Sequence, residues 1–272
     1  MTQKIPSFIS DINNEMIDAA VHALENEKFI LGESVFKFEE EFAKYIGTKN
    51  AISVNSGSSA LHLSLLAVNI SNNSKVITST NSFIASSNTI LSTGAEPILA
   101  DIDESDGNLD MKNNQTNVDA IIPIHIYGNP CDFESVKEFA ETKKIPIIED
   151  ACQAHGATYK GKKVGSLGQL GCFSFYPTKN MTVGGDGGMI TTDDDDLAKT
   201  LISLRDNGRK ESNRSIHEKF GFTMRLNTVN AAIGRVELKN LDEKNKRRKE
   251  IAGIYEKNLS KNILLSTNKL GQ

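Results

Sequence analysis

The chain has 272 residues, of which 38% are hydrophobic and 24% charged, with a net charge of −4. That balance describes a globular protein large enough for a substantial core, and it argues against a broad basic surface for nucleic acid. No apolar run approaches the ~18 residues of a membrane span. The opening Met1-Thr2-Gln3-Lys4-Ile5-Pro6 lacks the apolar stretch of a signal peptide, so the expected location is the cytoplasm.

In chain order, Asp11 to Glu27 reads as a helix, with Met16, Ala19, Ala20 and Leu24 at helical spacing. Ser34 to Ile46 reads as a second helix on a stripe of Val35, Phe38, Phe42 and Tyr45, with Gly47 as its stop signal. Ala51-Ile52-Ser53-Val54 is a short strand, Asn55-Ser56-Gly57-Ser58-Ser59 a tight turn, and Ala60 to Val68 a helix. Strands at 75–78, 97–100, 120–124, 145–148, 170–175 and 188–192 then alternate with helices at 84–91, 133–143 and 196–204. These strands are continuous apolar runs, as strands buried on both faces are. Strand–helix alternation of this kind predicts an α/β fold with a mostly parallel sheet.

From Leu226 the pattern is helical for about thirty residues, with Val229, Ala232, Ile233, Val236 and Leu241 as its apolar stripe. The charged run from Glu243 to Glu250 reads as a solvated helix face rather than a nucleic-acid patch. The acidic run Asp193 to Asp196 precedes a helix, where negative charge suits the helix dipole, so no metal is called for. Cys131, Cys152 and Cys172 form no CxxC pair and read as reduced small hydrophobes, Cys152 included although it lies close to Asp150.

The chemistry concentrates in two segments. Lys179 follows the apolar run Gly171-Cys172-Phe173-Ser174-Phe175-Tyr176-Pro177 and precedes Gly184-Gly185-Asp186-Gly187-Gly188. Glycines let a backbone approach a ligand closely, and a lysine desolvated against that ligand is a nucleophile. Asp150 ends the strand before it, and open α/β sheets bind ligands beyond the carboxyl ends of their strands. An amine for a Schiff base and a carboxylate for a pyridinium nitrogen are the two requirements of a pyridoxal phosphate site. Taken by itself, Asp150 is equally a helix cap, and Glu149 should point to the opposite side.

Asn55 to Ser59 opens a helix, where free N–H groups and the dipole cradle phosphate, although serine and glycine also make ordinary turns. Ser174 is a second phosphate candidate. Phe83 could stack on a ring, but from the residues alone core packing outweighs that role. Gln153 could bond a cofactor or substrate oxygen, and His155 reads as a support for its loop.

Six ordered segments resemble the DegT/StrS family of sugar aminotransferases: Asn55 to His62, Ser82 to Asn88, His125 to Gly128, Glu149 to Gly156, Phe173 to Asn180, and Ala231 to Gly234. The resemblance runs from Phe29 to Asp242. It implies the aspartate-aminotransferase-like, fold type I, three-layer α/β domain with pyridoxal 5'-phosphate as cofactor. It makes Lys179 the Schiff-base lysine and Asp150 the pyridinium partner. Ser58, Ser59 and Ser174 would hold the phosphate, Phe83 would stack on the ring, and Gln153 would contact its phenolic oxygen. It further implies glutamate as amino donor, a nucleotide-linked keto-sugar as acceptor, and a homodimer with shared active sites. Related dehydratases carry histidine where this chain has Lys179, which favours amino transfer over deoxygenation. Family members usually have Asn, reaching the neighbouring subunit's phosphate, where this chain has Thr223. The domain expectation is a cofactor-binding large domain over 1–240 and the beginning of a small C-terminal domain over 241–272. The alternatives are a non-catalytic binding or regulatory protein of the same fold and a cofactor-dependent sugar dehydratase.

Overall fold

The structure, a computed structural model, describes residues 9, 11–112, 114, 116–210 and 212–259. The strands are β1 (Asn50–Val54), β2 (Lys75–Ser79), β3 (Glu96–Ala100), β4 (Ala120–Ile122), β5 (Ile148–Asp150), β6 (Thr158–Tyr159), β7 (Lys162–Lys163), β8 (Leu170–Ser174), β9 (Gly188–Thr192), β10 (Arg209–Lys210) and β11 (Asn213–His217). The helices are α1 (Asn14–Asn26), α2 (Glu33–Ile46), α3 (Gly57–Ala67), α4 (Ala85–Ser92), α5 (Phe133–Lys143), α6 (Asp195–Arg205) and α7 (Thr228–Asn258).

Hydrogen bonding gives the orders β1-β9-β8-β5 and β3-β2-β4. Parallel bridges Ile121–Ile147 and Ile124–Asp150 join β5 to β4, so the two halves form one continuous sheet. Strand β9 runs antiparallel to β1 and β8, while the pairs β5–β8, β2–β4 and β2–β3 are parallel. This is the mostly parallel sheet that the apolar runs predict. The two-stranded ribbons β6–β7 and β10–β11 were not anticipated, because their short polar segments carry no periodic apolar signal.

Alternate residues of a strand point to opposite faces. On one face Ile52, Val54, Val76, Ile122, Ile148, Cys172 and Ile190 pack with α3 and α6. On the other, Ala51, Phe173 and Met189 meet α2 and α7, and Ile77, Ile121 and Ile147 meet α5. Helices therefore cover both faces, giving three layers. The same parity sends Asp150 and Ser174 toward α3 and Glu149 away from it.

Several local expectations shift. Helix α3 starts at Gly57 rather than Ala60, because the Ser56 hydroxyl accepts the Ser59 N–H at 3.0 Å and caps it. In α1, Met16 and Ala23 are buried, while Leu24 is 53% exposed. Helix α2 ends as expected, with Gly47 left-handed at φ 91° and its N–H on the Ala43 carbonyl. Helix α7 passes position 241 without a break, and the end of the expected C-terminal domain segment, residues 260–272, lies outside the described residues.

Candidate active site

At the carboxyl ends of β5 and β8 a cavity of about 490 Å³ is lined by Gly57, Ser58, Phe83, Asp150, Gln153, Ser174 and Lys179, among others. The fold thus brings together residues spread from position 57 to position 179. Ser59 lies outside this cavity and borders an adjoining groove of about 860 Å³. Its hydroxyl donates to Oδ1 of Asn55 at 2.6 Å, so it fixes the turn.

The start of α3 approaches β8 closely. A Cβ on Gly57 would stand 2.7 Å from Cβ of Ser174 and 2.9 Å from Sγ of Cys152. One on Gly188, which pairs with both Val54 and Ser174, would stand 2.4 Å from the Ser56 carbonyl oxygen. Only glycine permits either approach. In the first turn of α3, the Ser59 N–H goes to the Ser56 hydroxyl and the Ala60 N–H to the Ser56 carbonyl. The N–H groups of Gly57 and Ser58 precede the first intrahelical acceptor and face this concavity with the positive end of the helix dipole. Together with the hydroxyls of Ser58 and Ser174 they form a donor set suited to a phosphate dianion.

Asp150 is buried, at 7% exposure. Its Oδ2 accepts the Ser86 hydroxyl at 2.8 Å, and its Oδ1 accepts the Cys152 N–H at 3.2 Å. Both oxygens are oriented, and each keeps a lone pair for a further donor. Burial and the adjacent Asp150 push the Cys152 thiol well above its ordinary range, which suits the inert reading of this cysteine. Lys179 is half-buried in the turn after β8, where its N–H donates to the Tyr176 carbonyl at 2.8 Å. Gln153 accepts the Tyr127 N–H on Oε1 at 3.2 Å, which leaves its amide N–H groups as donors. Tyr127 holds a left-handed φ of 58°, the kind of strain that gathers at functional sites.

Phe83 is 67% exposed at the cavity wall, so the core-packing reading is overturned. His155 is buried, with its ring 5.5 Å from that of Phe173 and 5.8 Å from that of Phe175. Burial, helped by the Lys179 ammonium, lowers its pKa to about 3, so the ring is neutral. Glu149 faces away, as the parity requires. It accepts N–H groups from Gly165, Leu167 and Gly168 at 2.7–2.8 Å and the Nε2 hydrogen of His125 at 3.0 Å. The His125 tautomer follows from Nδ1, which accepts the Cys131 N–H at 3.2 Å.

Sequence reasoning missed Ser86 and Tyr127. Ser86 lay within the quoted Ser82 to Asn88 segment, but nothing local distinguishes it from Ser87. It is placed by the packing of α4 against α3, β2 and β3, which brings its hydroxyl to Asp150.

These residues fit pyridoxal phosphate, with a glycine-lined anion cradle, a carboxylate and an amine on one cavity. Residues 10–269 match the DegT/DnrJ/EryC1/StrS aminotransferase family. The chain is 41% identical to a GDP-perosamine synthase of Caulobacter vibrioides over 235 residues, covering 85% of this chain and 63% of that protein. It superposes on the DesV structure of S. venezuelae in complex with a ketimine intermediate, with TM-score 0.87 and 37% identity over 91% of this chain and 67% of that one. It also superposes on a mutant GDP-4-keto-6-deoxymannose-3-dehydratase with bound GDP-perosamine, with TM-score 0.86 and 26% identity over 93% of this chain and 73% of that one. The chain thus spans less than two thirds of the perosamine synthase's length.

Proposed function

The chain belongs to the DegT/DnrJ/EryC1/StrS aminotransferase family, and on that premise we propose that it transfers an amino group from glutamate to a nucleotide-linked keto-sugar. Aminotransferases of this family use pyridoxal phosphate. The observation that carries the reading is that Asp150, Lys179 and the start of α3 line one cavity at the carboxyl ends of the strands.

When bound, the cofactor supplies an electron sink for the charge left on a carbon that loses its proton. The chain's own groups supply the rest. Gly57, Ser58 and Ser174 hold the phosphate. The Asp150 carboxylate, oriented by Ser86, keeps the pyridine nitrogen protonated, and a nearby anion is what favours that charged form. Gln153 donates its amide N–H to the phenolic oxygen, and Phe83 covers the ring. Nζ of Lys179 would hold the cofactor through its aldehyde, and as a free amine it would be the base that takes the proton from the donor's α-carbon and later returns one to the former keto carbon.

The substrate class rests on the GDP-perosamine synthase relative, whose product name is that of a nucleotide amino-sugar. A homodimer is supported by the groove beside the site, where Phe83, Ile84 and Phe220 are 67%, 60% and 80% exposed. Among the described residues no helix is long and apolar enough to cross a membrane. Deoxygenation is the second reading, favoured by the likeness to the dehydratase structure. Lys179, where such dehydratases carry histidine, weighs against it. Incubation with glutamate and a panel of nucleotide keto-sugars, read by product mass, tests the proposal. An amino-sugar supports it, and loss of oxygen without gain of nitrogen favours the dehydratase.

A further inference from the structure

The charged run of α7 is not simply a solvated face: Lys244 and Asn245 are half-buried. Lys244 is engaged by Glu237 at 2.8 Å and Asp11 at 3.0 Å. Asn245 turns toward the active site's supporting loops. Its Nδ2 donates to the His155 carbonyl at 2.7 Å. Its Oδ1 accepts Nδ2 of Asn180 at 3.3 Å and Nη1 of Arg248 at 3.0 Å. Nη2 of Arg248 in turn donates to the Asn180 carbonyl at 3.0 Å.

Two side chains one helical turn apart therefore grip both segments that carry the chemistry. Asn180 follows Lys179 directly, and its side chain and carbonyl are both held. The turn is fixed on its other side by the Lys179 N–H on the Tyr176 carbonyl. His155 belongs to the tight loop that begins at Asp150, where the Ala154 N–H meets the Ala151 carbonyl and the Ala157 N–H meets the Ala154 carbonyl, each at 3.0 Å. Gly156 lets α7 come this close. With φ at +84°, a Cβ there would stand 2.9 Å from Nδ2 of Asn245 and 2.5 Å from the Tyr45 hydroxyl.

We propose that Asn245 and Arg248 are positioning residues that clamp the Lys179 turn to the Asp150 loop, so that α7 sets where the amine stands relative to the carboxylate. The inference rests on the reading of Lys179 as the cofactor-binding amine. Neither residue lines the cavity that Lys179 and Asp150 share; Arg248 meets Lys179 only across a separate groove of about 360 Å³, so the clamp acts on the shared cavity through the Lys179 turn and the Asp150 loop. A misplacement of the order of 1 Å at a reacting group can cost about a hundredfold in rate, so even a partial loosening should be measurable.

The test uses Asn245→Ala, Arg248→Ala and Arg248→Lys in the full chain, with two readouts. The first is acetylation of Lys179 by acetic anhydride without cofactor, measured by peptide mass relative to the remote exposed Lys137 and Lys199. The second is the rate at which pyridoxal phosphate becomes fixed to Lys179 on borohydride reduction. Loosening the clamp frees the amine but misaims it. In both alanine variants acetylation of Lys179 should therefore rise by about threefold or more while fixation falls by about tenfold, with the reference lysines unmoved. Arg248→Lys, which can keep one bond to the Asn180 carbonyl, should recover part of the fixation rate. A general loss of fold would instead raise labelling at every lysine. If both rates at Lys179 stay within about twofold of the original in both alanine variants, the clamp is wrong. If the unaltered protein fixes the cofactor on another lysine, the site reading fails, and the acetylation of Lys179 alone still decides the clamp.

Discussion

Glu149 and Asp150 are consecutive residues whose carboxylates face opposite sides of the sheet, and each is held for a different task. Glu149 is fully buried and accepts from three backbone N–H groups and His125, so its charge is consumed in structure. Among the described residues the Asp150 carboxylate accepts Ser86 and the Cys152 N–H, and it borders the cavity, so its charge is available to a ligand. The period of two along β5 separates a structural acid from a functional one.

Removing the Glu149 charge should damage stability. In Glu149→Gln an amide N–H₂ must replace one acceptor oxygen amid converging donors. Breaking a buried charge network of this kind costs about 3–5 kcal/mol. Urea unfolding should show that loss, whereas Asp150→Asn should change stability by about 1 kcal/mol or less. Equal losses from both variants would contradict the division of roles.

Asp150→Asn should instead damage chemistry. Without the carboxylate the ring nitrogen is not held protonated, and the single-turnover rate with glutamate should fall by about 10²–10³-fold. Ser86→Ala, which removes only one orienting bond, should cost about tenfold or less. Stopped-flow absorbance of the cofactor-loaded protein measures both. A Ser86→Ala defect larger than that of Asp150→Asn would show that the carboxylate is not the working group.

Gly57→Ala tests the anion cradle. The added Cβ meets Ser174 and Cys152 inside 3 Å, so α3 must move away from β8. Helix propensity itself slightly favours alanine, so the fold should survive. The affinity for pyridoxal phosphate should fall by about tenfold or more, while pyridoxal, which lacks the phosphate, should lose less. Fluorescence titration with both compounds separates the cases.

His155 gives a pH signature. Its folded pKa of about 3 lies below the ordinary histidine value, first through burial and then through Lys179. Below pH ~6.5 the unfolded chain binds a proton there that the folded chain refuses, so stability falls as pH drops from about 6.5 toward 3. His155→Phe keeps the aromatic contacts and the carbonyl that Asn245 uses but removes this proton. Denaturant unfolding at pH 4 and pH 7 should show a smaller drop for the variant. An unchanged drop would assign the acid sensitivity elsewhere.

Much of this was legible in the residues. Apolar runs such as Ala120-Ile121-Ile122 signal strands buried on both faces, and strand parity assigns Glu149 and Asp150 to opposite sides before any coordinate is known. Lys179, Asp150 and the Asn55–Ser59 turn stand out because glycines and strand ends mark them. Ser86, Asn245 and Arg248 did not. Each acts across a large separation in sequence, and nothing in its immediate neighbours distinguishes it from ordinary surface polarity. Phe83 misled in the opposite direction, because a phenylalanine reads as core by its residue type when only its packing shows it exposed.

The most direct measurement is the visible absorbance of the purified protein with pyridoxal phosphate, before and after adding glutamate, beside Lys179→Ala. The account predicts a yellow band that requires Lys179 and bleaches when glutamate is added. A band that persists in Lys179→Ala, or no band in the unaltered protein, would contradict the assigned site. A band that needs Lys179 but ignores glutamate would contradict amino transfer from that donor.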